Sequence, residues 1–121
     1  MKYKILVAED EKSLGKALSL KLTHVGFDVT VVYDGEETLK AMGKEPYSLI
    51  LLDLVMPKKD GFEVLEELQK QKNKTPVIVL SNLGQEEDLT KAKELGAKDY
   101  FIKSNTSLHE IIEHISDFLK K

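Results

Sequence analysis

Five short apolar runs recur along the chain, and between them apolar residues return at helical spacing. Three of the runs are almost entirely aliphatic, which is typical of strands buried on both faces of a parallel sheet. A strand followed by a helix five times over predicts an α/β fold with a doubly wound, five-stranded parallel sheet flanked by five helices. The predicted strands cover residues 4–8, 27–32, 48–53, 76–81 and 99–103.

The predicted helices carry start and stop signals as well as an apolar stripe. Gly26 is expected to end the first helix and Gly96 the fourth, because glycine readily adopts the left-handed backbone that follows a helix. Ser107 and Glu110 form a capping-box pattern at the start of the last helix. The positions expected to face the core are Leu14, Ala17, Leu18, Leu22, Val25, Leu39, Met42, Phe62, Leu65, Leu68, Leu89, Ala92, Leu95, Leu108, Ile111, Ile112, Ile115 and Phe118.

The order of the strands follows from the handedness of their connections. Right-handed crossovers allow few topologies, and for five parallel strands the common order is 2-1-3-4-5, the flavodoxin-like arrangement. In such a sheet, ligands bind in the crevice beyond the carboxyl ends of strands 1 and 3. The residues that end these two strands are therefore the first candidates for function.

Both of these strands end in carboxylates. Glu9 and Asp10 follow the first strand, and Asp53 ends the third. Like charges about 4 Å apart repel by about 4 kcal/mol at an effective dielectric near 20, so such a cluster is unfavourable without a cation. The chain has no cysteine, and oxygen ligands suit Mg²⁺, a hard octahedral ion held by carboxylates, water and phosphate oxygens.

Two further polar residues end the flanking strands. Ser81 ends the fourth strand with a hydroxyl, and Lys103 ends the fifth with an ammonium group. Taken singly, each of these residues is usually a cap, a turn former or a solvated side chain. Their coincidence at one edge of the sheet indicates a phosphoryl-transfer site, with Asp53 as the candidate nucleophile and Lys103 and Ser81 as contacts for phosphoryl oxygens.

Composition narrows the functional classes. The 121 residues suit one domain spanning 1–121, and the net charge of −3 weighs against direct nucleic-acid binding. No stretch approaches the length of a membrane span, so no membrane association is expected. The lack of cysteine and of a recognisable signal peptide favours a cytoplasmic location.

Four sequence pieces together resemble the receiver domain of response regulators, the CheY-like phosphoacceptors of two-component signalling. They are VAEDE at 7–11, LLDLVMPKKDG at 51–61, VLSN at 79–82 and DYFIKS at 99–104. The resemblance implies that Asp53 accepts a phosphoryl group from a histidine kinase or phosphotransfer protein. It also implies direct Mg²⁺ binding by Asp10, water-mediated binding by Glu9 and a metal contact from the Val55 backbone carbonyl. Such a domain catalyses only its own phosphorylation and dephosphorylation, and is not an enzyme acting on other substrates.

The resemblance also implies a switch. Ser81 would move toward the phosphoryl group, Tyr100 would swing inward, and the face of helix 4, strand 5 and helix 5 would change for an output domain, a target protein or a second copy. Two residues depart from the usual pattern. Asn82 stands where a small residue is common, and Ser104 stands where proline commonly follows the lysine. A trans peptide, or a strained cis one, is expected before Ser104, with some local rearrangement of the loop.

Three other readings compete with a phosphorylated switch. A receiver-like interaction module that works without phosphorylation needs none of these charged residues, although all are present. A flavin-binding electron carrier of the same strand order needs a phosphate loop after strand 1, where this chain has the acidic segment EDEKSLG. A phosphatase with an aspartyl nucleophile usually carries a second acid two residues later, and that position is Val55.

Overall fold

The computed structural model describes residues 2–120. Its centre is a sheet of five parallel strands in the order β2-β1-β3-β4-β5. This architecture confirms the fold class and the topology predicted from the sequence. The strands are β1 (Lys4–Ala8), β2 (Asp28–Val32), β3 (Leu49–Leu52), β4 (Val77–Ser81) and β5 (Asp99–Ile102).

Five α-helices connect and follow the strands: α1 (Lys12–Val25), α2 (Gly35–Lys44), α3 (Gly61–Lys70), α4 (Glu86–Glu94) and α5 (Leu108–Lys120), with a 3₁₀ turn at Lys103–Asn105. The predicted end signals are present. Gly26 caps α1 with φ of 111°, and Gly96 follows α4 with φ of 104°. The Glu110 amide donates to the Ser107 hydroxyl at 3.2 Å, and the Ser107 amide donates to the Glu110 carboxylate at 3.1 Å. None of the helices within residues 2–120 has the length and apolar content needed to cross a membrane.

Alternate residues of the apolar strands supply two separate cores, one on each face of the sheet. Ile5, for example, packs with α1 and α5, whereas its neighbour Leu6 packs with α2, α3 and α4. Because both faces are covered, the central strands need apolar residues at every position, which explains the unbroken aliphatic runs. The sheet is therefore a fixed frame, and its carboxyl ends present the polar residues.

Two predicted core positions are wrong. Val25 is 38% exposed because it is the last residue of α1, next to the cap at Gly26. Phe118 is 37% exposed, and Leu119, four residues after the fully buried Ile115, packs against the core in its place. Both errors lie in the last turn of a helix.

Two predicted strands end earlier than expected. β3 stops at Leu52 and β5 at Ile102, so Asp53 and Lys103 are the first residues after their strands. The aligned pairs Ala8–Leu52 and Ser81–Ile102 keep the ends of β1 and β3 level, and those of β4 and β5. β4 continues two residues beyond the end of β3, because Leu52 pairs with Val79. No cis peptide occurs within residues 2–120, so the bond between Lys103 and Ser104 is trans, the first of the two alternatives expected there.

Candidate functional site

Backbone hydrogen bonds extend the sheet by one residue at the switch point. The Glu9 amide donates to the Val32 carbonyl at 3.0 Å, and the Asp53 amide donates to the Ala8 carbonyl at 3.0 Å. Both acids are held in line with the strands, and their exposed fractions are only 2% for Glu9 and 4% for Asp53. The sheet therefore fixes two carboxylates at its edge before any side-chain contact is counted.

Three carboxylates converge there, as the sequence predicted. One carboxylate oxygen from each of Glu9, Asp10 and Asp53 lies within 4.8 Å of the others. Asp10 is exposed while the other two are buried, so the cluster is open on one side. Such an all-oxygen donor set with access to water fits Mg²⁺, which binds through one or two carboxylates and keeps several waters.

A cavity of about 230 Å³ opens over the cluster. Five of its six lining residues carry charged or polar side chains, and the sixth, Val55, is 54% exposed. The lining residues are Asp10, Glu11, Asp53, Val55, Asn82 and Lys103. The cavity has room for a small anion and places it against Asp53.

Lys103 supplies the positive charge of the cluster. The ammonium nitrogen Nζ lies 2.8 Å from Glu9 Oε1, 2.9 Å from Asp53 Oδ2 and 3.3 Å from Glu11 Oε2. Burial acts to lower the pKa of Lys103, but the hydrogen bonds to Glu9 and Asp53 outweigh it and raise the pKa above its ordinary value. Lys103 therefore stays charged, and its hydrogen bond to Asp53 links two residues that are 50 positions apart in the sequence.

Glu9 is the most deeply buried of the three carboxylates in the cluster. Burial raises the pKa of its carboxyl from 4.5 to about 7, against the opposing hydrogen bond from Lys103 and the neighbouring amide of Glu11. The nearby charge of Asp53 raises it further. Desolvation of a charge beside other negative charges explains the direction, because both effects disfavour the ionised form.

The loop after Asp53 is closed tightly against it. Asp53 Oδ1 accepts a hydrogen bond from the Val55 amide at 3.2 Å, and the Gly61 amide donates to the Leu54 carbonyl at 2.8 Å. A Cβ at position 61 would lie 2.5 Å from the Asp53 carbonyl oxygen and 2.6 Å from the Leu54 Cα. Glycine is required there because the start of α3 touches the backbone that carries the candidate nucleophile.

Ser81 and Tyr100 meet at a residue that the sequence did not indicate. Ser81 Oγ accepts a hydrogen bond from the Leu83 amide at 3.3 Å, and the Tyr100 hydroxyl donates to the Leu83 carbonyl. Ser81 is fully buried and Tyr100 half-buried. Burial, with a smaller effect from the charge of Asp88, raises the pKa of Tyr100 to about 12, so its hydroxyl keeps its proton.

The structure thus brings together four of the five residues predicted from the strand ends, Glu9, Asp10, Asp53 and Lys103. Ser81 is fully buried and does not line the cavity, although its neighbour Asn82 does. Sequence reasoning missed the contact of Glu11 with Lys103, although Glu11 belongs to the acidic segment quoted above. It also missed Leu83, which acts through backbone atoms and so leaves no trace in residue type.

Comparison with known proteins assigns the family. Residues 5–116 match the family described as the response regulator receiver domain. The chain is 43% identical over 102 residues to a probable transcriptional regulator ycf27 of Porphyridium aerugineum, covering 84% of this chain and 42% of that protein. It is 43% identical over 103 residues to the alkaline phosphatase synthesis transcriptional regulatory protein PhoP of Bacillus subtilis, covering 85% of this chain and 43% of that protein.

Solved structures agree with this assignment. The Francisella response regulator 1452 receiver domain superposes with a TM-score of 0.92 at 35% identity, covering 98% of each chain. The beryllofluoride-activated DrrB receiver domain has a TM-score of 0.88 at 29% identity, covering 100% of each chain. The chain therefore belongs to the response regulator receiver domain family, the phosphoacceptors of two-component signalling. It spans only about two-fifths of the length of the curated relatives above (42% and 43%).

Proposed function

We propose that Asp53 is the residue that takes the phosphoryl group, and that residues 1–121 act as one receiver domain. The observation that carries the proposal is the position of Asp53. It is fixed by the sheet and bonded to Lys103 at 2.9 Å, and it lines a cavity open to an anion. An interaction module would not need a carboxylate held in this way.

The reaction proposed is transfer from a phosphohistidine of a histidine kinase or phosphotransfer protein. An oxygen of the Asp53 carboxylate attacks phosphorus, a P–O bond forms, the P–N bond breaks, and the departing imidazole nitrogen takes a proton. Lys103 stands where it can bind an equatorial oxygen of the phosphoryl group, whose charge is spread over three such oxygens in the transition state. Autophosphorylation from a small phosphodonor and hydrolysis of the product use the same residues.

The metal proposed for this site is Mg²⁺. Asp10 and Asp53 would bind it directly, Glu9 through water, and the backbone carbonyl of Val55 would complete the protein ligands. Its chemistry is charge neutralisation between the carboxylates and the incoming phosphoryl oxygens. Of the three acids, Asp10 is the exposed one, which leaves it free to meet an ion arriving from solvent.

The proposed switch runs through Ser81 and Tyr100. Phosphorylation replaces the single negative charge of the Asp53 carboxylate with a phosphoryl group that carries about two negative charges and three acceptor oxygens beside Lys103. If Ser81 turns toward them, it gives up its bond to the Leu83 amide, and Tyr100, bound to the carbonyl of Leu83, is affected through the same residue. The surface of α4, β5 and α5 would then change its shape for a target protein, a second copy or an output domain. An output domain is included because the match covers only 42% of the length of the Porphyridium relative.

The partners of the domain are part of the same proposal. They are a histidine kinase or phosphotransfer protein upstream and an output domain or target protein downstream. A cytoplasmic location belongs to the same proposal. The net charge of −3 weighs against direct nucleic-acid binding by this domain.

The test is formation of the adduct. The protein is incubated with Mg²⁺ and acetyl phosphate, and intact mass measures the gain of one phosphoryl group, which should survive acid and be lost in base. Beryllofluoride with Mg²⁺ should shift backbone NMR signals of the loops around the cavity. Asp53→Asn should abolish both results, whereas Asp117→Asn, which removes the same charge from an exposed position on α5, should leave them unchanged. An unmodified protein, with no Mg²⁺-dependent response to either reagent, would favour the phosphorylation-independent interaction module.

A further inference from the structure

The ammonium group of Lys103 has no hydrogen-bond donor to spare. A lysine carries three N–H donors. Three carboxylates lie within ion-pair distance of Nζ, those of Glu9 at 2.8 Å, Asp53 at 2.9 Å and Glu11 at 3.3 Å. A phosphoryl oxygen that binds Lys103 must therefore take the place of one of them.

The three carboxylates differ in how firmly they are held. Glu9 is 2% exposed, and its second oxygen accepts a hydrogen bond from the Glu11 amide at 3.0 Å. Asp53 is 4% exposed and is also bonded to the Val55 amide. The Glu11 side chain is 58% exposed and has the longest contact of the three. Glu11 is thus the partner that is released at the lowest cost.

The position of Glu11 in the fold makes its contact with Lys103 informative. Glu11 is the N-cap residue of α1, where side chains commonly accept a hydrogen bond from the first turn of the helix. It makes no such bond. Its carboxylate lies instead against Lys103, 92 residues away, and forms part of the cavity wall.

We infer that Glu11 is a positioning residue that occupies the third donor of Lys103 in the resting state and is displaced by an incoming phosphoryl oxygen. The inference rests on the proposed function, because it concerns the same cavity. Glu11 acts through Lys103 and does not touch the reacting atoms. Its contact sets how readily the lysine is available to the phosphoryl group, and its release frees a carboxylate at the start of α1.

The test compares two substitutions at this position. Glu11→Gln removes the charge and the ion pair, so beryllofluoride at saturating Mg²⁺ should bind about threefold more tightly, the size of effect that exposed ion pairs give. Glu11→Asp keeps the charge but withdraws it by about one carbon–carbon bond, roughly 1.5 Å. If the contact with Lys103 is what matters, Glu11→Asp should resemble Glu11→Gln. Glu66→Gln, an exposed glutamate on α3, is the control for loss of one charge and should bind like the unaltered protein.

A second measurement reports on Lys103 without metal or phosphate. The ¹⁵N–¹H signal of its ammonium group, recorded in metal-free protein, should shift in both Glu11 variants and not in Glu66→Gln. A loss of helix capping alone would not move that signal. The inference would be overturned if the beryllofluoride concentration at half-saturation were unchanged in both Glu11 variants, or changed in Glu11→Gln but not in Glu11→Asp. Neither result would contradict the proposed function. An unaltered protein that takes up no beryllofluoride would overturn the proposed function itself, and the displacement with it.

Discussion

Replacing Lys103 with methionine tests whether the acidic cluster depends on its cation. Methionine keeps most of the length and the apolar stem of lysine and removes the charge. Glu9 and Asp53, exposed by only 2% and 4%, would then lose an ammonium group at 2.8 and 2.9 Å. Removing one partner of a buried ion pair costs about 3–5 kcal/mol. We expect about 3 kcal/mol, the lower end, because the cavity admits water that screens the remaining charges.

The assay is urea unfolding of metal-free protein, followed by far-UV circular dichroism at about pH 8 and about pH 5.5. At the higher pH the free energy of unfolding should fall by about 3 kcal/mol, which corresponds to a drop in Tm of roughly 10 °C for a domain of this size. At the lower pH the loss should shrink, because Glu9, with its raised pKa, takes up a proton and removes one of the unpaired charges. Added Mg²⁺ should recover part of the loss at the higher pH.

The matched control is Lys70→Met, an exposed lysine near the end of α3, which should leave the free energy of unfolding nearly unchanged. A loss below about 1 kcal/mol for Lys103→Met, the size of a surface ion pair, would refute the reasoning. A loss of the same size at both pH values would refute the part assigned to Glu9.

Three further predictions concern single positions. Glu9 has a pKa of about 7 in the folded protein, above its ordinary value of 4.5. The protonated carboxyl therefore contributes its full stability below pH 4.5, and this contribution is lost as the pH rises through about 7. Across that window, Glu9→Gln should therefore gain stability relative to the unaltered metal-free protein in urea titrations, and parallel curves would contradict this. Gly61→Ala should lower the free energy of unfolding by about 2 kcal/mol, since its Cβ would lie 2.5 Å from the Asp53 carbonyl oxygen. Gly43→Ala, where a Cβ meets nothing within 4 Å, should instead raise it by about 0.5–1 kcal/mol, and equal effects in the two variants would rule out the steric explanation. Tyr100→Phe removes the hydroxyl bound in the loop after β4, so it should cost about 1 kcal/mol and speed amide exchange in that loop, and unchanged exchange would show that the bond is not maintained in solution.

The frame of the site could be predicted because it follows from strand endings. An aliphatic run buried on both faces has few alternative explanations, and right-handed crossovers then fix which ends are neighbours. Glu9, Asp10 and Asp53 were found in this way, without any knowledge of their contacts. The strand ends were off by one residue at Asp53 and Lys103, which did not matter because the backbone continues in line for Asp53, as its bond to the Ala8 carbonyl shows.

The remaining parts depend on choices that a residue type does not determine. Glu11 as an N-cap has a local use for its carboxylate, and only the folded chain shows that it contacts Lys103 instead. Leu83 takes part through its amide and carbonyl, which every residue except proline possesses. Val25 and Phe118 continue the apolar stripe of their helices, but a periodic pattern does not show which residues of the last turn are exposed.

The two hydrogen bonds at Leu83 have a consequence for how such a domain stays both stable and responsive. Side chains from two different strands bind the amide and the carbonyl of one loop residue. In the proposed switch, a change that moves Ser81 would reach the aromatic ring of Tyr100 through this one loop residue. The packing on both faces of the sheet would hold its backbone in place while these side chains move. Stability and signalling would then depend on different atoms of the same strands.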